Sequence, residues 1–338
     1  MLLVALGCWL GTVALLVIVA VPYVRLSPGP LFDVLGESDG TPVIGISGTR
    51  QYPTTGELDM TTVSERGGPY GRLTLFEAFT GWLDPQVSVV PTALLYPEQT
   101  STDDARDQGA DQFVDSQEKA RIAALEELGE PVVTRPWIVS VQPDSPASAV
   151  LQHGDVVLSV DGRAVDGPHQ VARRVRQAGP DARVRMDIRR GDEDSSVVLR
   201  TVANPRDPAK GYLGVTVGVM ADSPVKVDFH LGDVGGPSAG LIFALGIVDK
   251  LTPGDLTQGR RLAGTGTMDY DGKVGPIGGI GQKMAAAKEA GAELFLAPEA
   301  NCEEVRKATP AGLTVASVKT LSEAVDVLSG EQEPKGCS

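Results

Sequence analysis

A serine in the second half of the chain stands where a nucleophile could be activated. The residues before it, 225–231, alternate apolar and polar side chains, which predicts a half-buried strand. Three glycines within 232–236 then end the strand, and Pro237 predicts the first turn of a helix over 238–248. Ser238 would therefore lie beside free backbone N–H groups at the positive end of a helix dipole, which stabilises a nearby oxyanion. The alternative is that Ser238 only caps the helix.

Histidine is the usual base for such a serine, but no histidine of this chain is suitably placed. The motif GPSAG matches the G-x-S-x-G turn of α/β-hydrolases, in which the catalytic histidine follows the serine. His153, His169 and His230 all precede Ser238, so the hydrolase interpretation fails. His230 falls on the polar side of the predicted strand and is expected at the surface.

A lysine can act as the base when burial removes the proton from its ammonium group. Lys283 opens a predicted helix in which the residues three, four and seven positions later are alanines, so its amine is expected in a packed interior. Lys288 falls on the opposite side and is expected in solvent. A lysine pKa of about 10.4 must fall by about three units, a change of roughly 4 kcal/mol, before the amine is a useful base. The alternative is a buried stem whose ammonium reaches water.

Charge and cysteine usage exclude some functional classes. The chain has 338 residues, enough for two or three domains, and its formal net charge of −14 argues against a nucleic-acid partner. Cys8, Cys302 and Cys337 form no CxxC or histidine-containing pattern, so we predict no metal site and no cofactor. Cys302 and Cys337 could pair in an oxidising compartment.

The apolar composition of residues 1–26 predicts a transmembrane anchor, so the lipid bilayer is an expected partner. Leu2 to Val21 contains no charged residue, and at about 1.5 Å per residue it spans the roughly 30 Å hydrocarbon core. A cleaved signal peptide is the alternative, but the basic leading region and the small-residue cleavage site are missing. Arg25, the first charged residue, weakly favours its own side as cytoplasmic.

Residues 38–129 predict a mixed region of strands and helices. The predicted elements are strands over 42–46 and 58–63, a short helix over 73–83, an exposed loop over 98–108 and a helix over 112–128.

A different pattern marks a separate module, residues 130–205. The run PDSPA…LQHGDVVLSVDG…V, with a hairpin turn at Asp161-Gly162, resembles a PDZ domain over 131–203. The resemblance implies that an extended peptide binds as an added strand, with its carboxylate held by backbone N–H groups. The segment expected to hold the carboxylate, PVVTRPW at 131–137, lacks a glycine-rich turn, and Pro136 has no N–H. Specificity for C-termini therefore stays open, and a purely structural module is the alternative.

Residues 206–330 resemble the proteolytic domain of the Lon family. The resemblance is carried by DVGGPSAG (233–240), TGT (265–267) and DGKVGPIGGIGQKMAAAKEAG (271–291). It implies a catalytic dyad of Ser238 and Lys283, supported by Thr265 through a hydrogen bond to the lysine. Asp233 and Gly236 are further supporting positions, since a glycine N–H beside that of Ser238 would stabilise the oxyanion. The supporting polar network stays open, because Thr267 stands where Lon commonly has an acidic residue.

The whole pattern resembles the PDZ-containing Lon-like membrane proteases of bacteria. The resemblance implies an α+β fold with an N-terminal transmembrane helix, in which module 130–205 is inserted into the protease unit. Residues 38–129 would then pack with 206–330, and 331–338 would form a flexible tail.

The function that this resemblance implies is membrane-anchored hydrolysis of protein or peptide substrates by a serine endopeptidase. The sequence contains no G-x-x-x-x-G-K-[ST] motif, so we expect hydrolysis without ATP. The resemblance also places the catalytic part outside the cytoplasm and allows a homo-oligomer, because Lon domains often form rings. The alternatives are a non-catalytic, membrane-tethered PDZ scaffold and a protease that processes a single site.

Overall fold

The computed structural model describes residues 17–97, 100–205, 207–232 and 234–337, which form strands and helices in mixed order. The strands are β1 Ala20–Val21, β2 Tyr23–Asp33, β3 Glu37–Ser38, β4 Thr41–Pro42, β5 Ile44–Ser47, β6 Glu57–Gly67, β7 Leu73–Thr74, β8 Ser88–Pro91, β9 Val133–Val141, β10 Val156–Val160, β11 Arg163–Ala164, β12 Arg183–Arg190, β13 Glu193–Arg200, β14 Val202–Asn204, β15 Asp207–Tyr212, β16 Val215–Asp222, β17 Lys226–Phe229, β18 Arg261–Gly264, β19 Thr267–Met268, β20 Val274–Gly275, β21 Leu294–Pro298 and β22 Thr314–Val318. The α-helices are α1 Leu75–Leu83, α2 Thr92–Leu95, α3 Thr102–Glu127, α4 Pro168–Ala178, α5 Gly240–Leu251, α6 Ile280–Glu289, α7 Cys302–Ala308 and α8 Leu321–Ser329. The mixed α/β content expected from the sequence is confirmed.

The larger unit is built on a six-stranded sheet in the order β22-β21-β18-β6-β2-β8. Strands β6, β18, β21 and β22 are parallel, whereas β2 and β8 are antiparallel to their neighbours. Helix α5 is apolar around almost its whole circumference, and such a helix is stable only inside a core. Its core cluster joins Leu58 and Phe113, which precede the PDZ-like module, to Ile242 and Leu328, which follow it. Residues from before and after the PDZ-like module therefore share one core, while the insertion itself stays a prediction.

A second sheet, the PDZ-like sheet, contains β13-β12-β10-β9-β16 with β11 paired to β10, and α4 packs against it. The boundary predicted between residues 205 and 206 does not divide the two units. Strand β16 pairs antiparallel with β9, while the backbone N–H of Ala221 on the same strand donates to Glu118 of α3. Strand β16 therefore belongs to the PDZ-like sheet and also contacts the larger unit.

Helix α3 begins ten residues earlier than the predicted start at 112, so the loop predicted over 98–108 is wrong for most of its length. Ser101 and Asp104 form a capping box, in which each side chain accepts a hydrogen bond from the other residue's backbone N–H. The polar residues that follow lie mostly on the solvent side of a long helix. A polar helix surface and a polar loop have the same composition, which is why the sequence suggested a loop.

Residues 20–21 and 23–26 of the predicted anchor lie in strands. Strand β1 pairs with β7, and β2 begins at Tyr23 with Val24 fully buried, so the predicted anchor boundary at 26 is too late. Most of the predicted anchor, Leu2 to Val21, lies outside the described residues. Within the described ranges, no helix has both the length and the apolar composition needed to span a membrane.

The C-terminal segment, predicted as a flexible tail, is attached to the larger unit. Cys337 forms a disulfide with Cys302 of α7, and the backbone N–H of Ser317 donates to the carbonyl of Lys335 at 2.8 Å. Covalent and backbone bonds therefore hold residues that composition alone suggested were free.

Candidate active site

Ser238 lies in a turn between β17 and α5, two residues before the first helical residue rather than within the helix. Gly236 has a φ of 91°, a left-handed conformation that favours glycine. The Ser238 carbonyl accepts two hydrogen bonds of 2.9 Å, from the Gly266 N–H and from the hydroxyl of Thr265. These bonds fix the backbone that carries the hydroxyl.

Helix α3 holds the same loop from its other side. The Gly236 N–H donates to the Gly109 carbonyl at 2.9 Å, and the Ser116 hydroxyl donates to the Pro237 carbonyl at 3.0 Å. The Gly236 N–H is thus already engaged, which corrects the expectation that it faces an oxyanion. The N–H of Ser238 stays the candidate donor, while Asp233, the other supporting position, lies outside the described residues.

Lys283 is brought to the serine by α6, which crosses the sheet close to β6. The approach requires glycine at the N-cap, because Gly279 has a φ of 70° and a Cβ there would lie 2.8 Å from Val63. The Lys283 side chain is 3% exposed, and its Nζ lies 2.9 Å from the Ser238 Oγ. Lys288 of the same helix is exposed, as expected from the sequence.

The lysine amine has a second partner that the sequence did not suggest. Its Nζ donates to the backbone carbonyl of Thr61 in β6 at 2.5 Å. The Thr265 hydroxyl donates to the Ser238 carbonyl, and not to Lys283 as the sequence comparison led us to expect. Every residue has a main-chain carbonyl, so the sequence does not indicate which one will accept this bond. The contact becomes visible only from the packing of α6 beside β6.

Burial lowers the pKa of Lys283 from its ordinary value to about 7, because the ammonium form loses its hydration in the protein interior. At neutral pH about half of such amines are uncharged. An uncharged amine at hydrogen-bonding distance from a hydroxyl can take its proton, which is the arrangement required for an activated serine nucleophile.

Ser238 and Lys283 both line a cavity of about 770 Å³. Its remaining walls come from β2, β6, the loop before Ser238 and the Pro276–Gly279 turn, and they include Leu26, Phe32, Met60, Val63 and Ile277. A mostly apolar cleft with a few polar groups at its reactive point is typical of an enzyme site.

The other residues considered as a catalytic base or metal ligand lie outside this cleft. His230 is exposed, as expected, with its Nδ1 3.1 Å from the Pro42 carbonyl, and the His153 Nδ1 lies 2.7 Å from the Val139 carbonyl. Across the described ranges, no group of three or more histidine, cysteine, aspartate or glutamate residues is arranged to hold a metal ion.

The PDZ-like sheet has a groove, but not where the sequence placed it. Most of the segment PVVTRPW lies within β9, an interior strand between β10 and β16, so it cannot form a loop at a free edge. A cavity of about 200 Å³ lies instead between α4 and residues 211–217, lined by Val171, Val175 and Val217 among others. Strand β16 is the sheet's edge strand on this side, which gives an extended peptide a place to pair.

The edge of β16 is open over only part of its length. The Val219 N–H donates to the Tyr270 hydroxyl at 3.1 Å, and the Arg121 guanidinium donates to the Ala221 carbonyl at 3.1 Å. The larger unit thus occupies the far half of this edge, whereas Val215 and Val217 line the groove.

Two segments of this chain match models of known protein families. Residues 137–190 match the PDZ domain, and residues 213–329 match the Lon protease (S16) C-terminal proteolytic domain. Lon protease 2 of Bacillus subtilis is 35% identical over 114 residues, covering 32% of this chain and 20% of that protein. The Lon protease of Flavobacterium johnsoniae is 37% identical over 103 residues, covering 30% of this chain and 12% of that protein.

The chain therefore spans about a fifth or less of the length of these Lon proteases. The PDZ domain of an SdrC-like protein from Listeria monocytogenes is 20% identical, covers 25% of this chain and 86% of that structure, and has a TM-score of 0.23. The family matches confirm the Lon-like and PDZ parts of the sequence prediction and support a serine protease.

Proposed function

We propose that this chain is a membrane-anchored serine endopeptidase that works without ATP and uses Ser238 and Lys283 as a catalytic dyad. The observation that carries the proposal is the 2.9 Å separation between the Ser238 Oγ and the Nζ of a lysine that is 3% exposed. Burial without a carboxylate partner gives that amine a pKa near neutrality, so it can serve as a base.

In the proposed reaction, the neutral Lys283 amine takes the hydroxyl proton while the Ser238 Oγ attacks the peptide carbonyl carbon. The carbonyl electron pair moves to oxygen, and the resulting oxyanion is stabilised by the Ser238 N–H near the start of α5. The Lys283 ammonium then protonates the leaving nitrogen as the C–N bond breaks, which leaves an ester on Ser238. Water, deprotonated by Lys283, hydrolyses the ester and restores the hydroxyl. The Thr61 carbonyl accepts a hydrogen bond from the amine and so fixes its position.

We further propose that the PDZ-like sheet presents substrates to this site. An extended polypeptide would pair with the open part of the β16 edge, beside Val215 and Val217, and pack against Val171 and Val175 of α4. Main-chain pairing accepts many sequences, which suits the binding of unfolded segments. It would replace the substrate delivery that an ATP-driven motor provides.

The proposed location is a cell membrane, with the predicted apolar run from Leu2 up to strand β1 in the bilayer and the catalytic part outside the cytoplasm. The Cys302–Cys337 disulfide supports this side, because such bonds persist in oxidising compartments. A homo-oligomer, implied by the Lon resemblance, is also proposed, and its test is the mass of the full chain in detergent.

The test of the dyad is cleavage of a fluorescently labelled, unfolded protein by the full chain in the absence of ATP. Ser238→Ala and Lys283→Met should each abolish cleavage, and Lys288→Met is the matched control that should cleave normally. Undiminished cleavage by Ser238→Ala would refute the assignment. If the unaltered chain neither cleaves nor reacts with a serine-directed acylating reagent, the scaffold alternative is favoured.

The identity of the substrates follows from a second use of Ser238→Ala. A chain that binds but cannot cleave should retain polypeptides that mass measurement can identify. Mapping the products of the unaltered chain then separates general degradation, which gives many cleavage points, from processing at a single site.

A further inference from the structure

Helix α1 exposes its large apolar side chains and buries its small residues, the reverse of the usual arrangement. Phe76, Phe79, Trp82 and Leu83 are between 49% and 69% exposed, whereas Ala78 and Gly81 face the protein. A surface helix normally buries its large apolar side chains and exposes polar ones. Four large apolar side chains grouped on one short helix therefore indicate a surface that another phase or molecule covers.

The small residues allow α1 to lie close to the sheet. A Cβ at Gly81 would come within 2.7 Å of Val89 in β8, so no larger side chain fits at that point. The helix is also fixed at its start, where Thr74 and Glu77 form a capping box. The exposed apolar side chains are thus held in place by a well-anchored helix.

The predicted membrane segment ends beside this helix. The Leu75 N–H donates to the Val19 carbonyl at 2.9 Å, and Arg72 donates to the Ile18 carbonyl at 3.3 Å. Ile18, which is 68% exposed, lines one cavity together with Phe76. The apolar surface of α1 therefore continues directly into the run that we propose lies in the bilayer.

The polar surroundings of α1 suit a lipid surface. Arg66 pairs with Glu77 at 2.9 Å, Arg72 lies next to the start of the helix, and the Arg25 Cδ lies 3.8 Å from where a Cβ at Gly81 would stand. Together with Glu77 and Asp84, these residues carry one net positive charge, so the surroundings of α1 do not repel anionic headgroups.

An aromatic pair at the C-terminal end of α1 also supports a membrane surface. Trp82 packs edge-on against Tyr23, with ring centroids 5.8 Å apart. Tryptophan and tyrosine are enriched at the headgroup level of membranes, because their rings are apolar and carry one polar group.

We propose that α1 is a membrane-docking helix, whose exposed side chains Phe76, Phe79, Trp82 and Leu83 lie in the headgroup region of the leaflet that Leu2 to Val21 leaves. This inference rests on the anchor in the proposed function, which brings α1 to that leaflet. The docked helix would fix the orientation of the catalytic unit on the membrane, in addition to the attachment that the anchor provides.

The chain's three tryptophans, Trp9, Trp82 and Trp137, supply the test and its controls. Three full-length variants each keep one tryptophan, with the other two replaced by phenylalanine. They are reconstituted in vesicles of phosphatidylcholine and phosphatidylglycerol that carry bromine either near the glycerol end of the acyl chains or near their methyl end. Trp82 should lose fluorescence with the shallow bromines more than with the deep ones, and Trp9 should be quenched from within the bilayer. Trp137, buried beside His153 in the PDZ-like sheet, should be unaffected.

The outcomes distinguish the docking proposal from the proposed anchor. Quenching of Trp9 without quenching of Trp82 would overturn the docking and leave the anchor intact. Absence of quenching at both positions would overturn the anchor and the docking together. If lipid bromines do not quench Trp82 and aqueous acrylamide cannot reach it either, a second copy of the chain covers the helix and the docking proposal is wrong.

A charge substitution gives an independent check on the same surface. Phe79→Glu should reduce the shallow quenching of Trp82 without changing that of Trp9. Val198→Glu, at an exposed apolar position on β13, is the matched control and should change neither. Unchanged quenching of Trp82 in Phe79→Glu would contradict the docking of this helix.

Discussion

The pKa of Lys283 predicts how the reactivity of Ser238 depends on pH. With a pKa of about 7, the uncharged fraction of the amine is about a tenth at pH 6 and about nine tenths at pH 8. If the neutral amine is the base, the rate of reaction at Ser238 should rise about tenfold over that interval, with a midpoint near pH 7. A lysine with its ordinary pKa would give a midpoint more than three units higher.

The assay needs no natural substrate, because it follows the labelling of Ser238 by a fluorophosphonate across the pH range. Lys288→Met, on the same helix, should keep the midpoint, whereas Lys283→Met should abolish fast labelling at every pH. A rate that is flat between pH 6 and 8, or a midpoint near 10, would refute the role of a buried neutral amine.

The same pKa has a consequence for stability that does not depend on catalysis. The unfolded chain binds a proton at Lys283 up to about pH 10.4, whereas the folded chain releases it above about 7, so folding is favoured by rising pH in that window. The free energy of unfolding should rise by about 1.4 kcal/mol per pH unit relative to Lys283→Met. Urea unfolding of both chains at pH 7.5 and 9 measures this slope, and parallel curves would show that the amine is not buried in its neutral form.

Three further predictions concern the bonds around the site and the core. Thr265→Val removes the hydroxyl that donates to the Ser238 carbonyl, so the loss of about 1 kcal/mol of bonding should slow cleavage by about fivefold, while Thr265→Ser keeps the rate. The pH midpoint should not change, and a full rate in Thr265→Val would contradict this role. Burial raises the pKa of Asp249 to about 6, so the charged carboxylate destabilises the fold above that pH but not below about pH 4. Asp249→Asn should therefore raise the free energy of unfolding by up to about 3 kcal/mol at pH 8 and hardly at pH 4. An equal effect at both pH values would contradict the raised pKa. Cys337→Ser removes the disulfide to Cys302 and should lower the free energy of unfolding by about 2–4 kcal/mol. A reductant should cause the same loss in the unaltered chain and no loss in Cys337→Ser.

Residue type and spacing made Ser238 and Lys283 candidates, and the resemblance to the Lon proteolytic domain implied that they act as a pair. A serine after three glycines and a lysine on an alanine-rich helix side stand out in any sequence, and Ser238 and Lys283 do lie 2.9 Å apart. The supporting contacts could not be predicted in the same way. Lys283 is held by the main-chain carbonyl of Thr61, and Gly236 donates to the carbonyl of Gly109, so neither contact depends on a recognisable side chain.

Element boundaries failed where tertiary contacts override local composition. The first turns of α3 are polar enough to suggest a loop, yet the capping box at Ser101 starts a helix there. The end of the PDZ-like module was placed too early, because β16 pairs with β9 across about eighty residues of sequence. The peptide groove was sought in 131–137 for the same reason, since only the pairing order shows that β9 is interior.

Strand β2 connects the proposed membrane anchor to the cleft that contains Ser238. It begins at Tyr23, and Leu26, Pro30 and Phe32 along it line the cleft that contains Ser238. At about 3.3 Å per residue, the five residues from Val21 to Leu26 extend no further than about 17 Å. If the run that begins at Leu2 lies in a bilayer as proposed, this short connection would hold the catalytic centre close to the lipid surface. We therefore expect faster cleavage of juxtamembrane stretches, and of chains that reach that surface, than of other polypeptides.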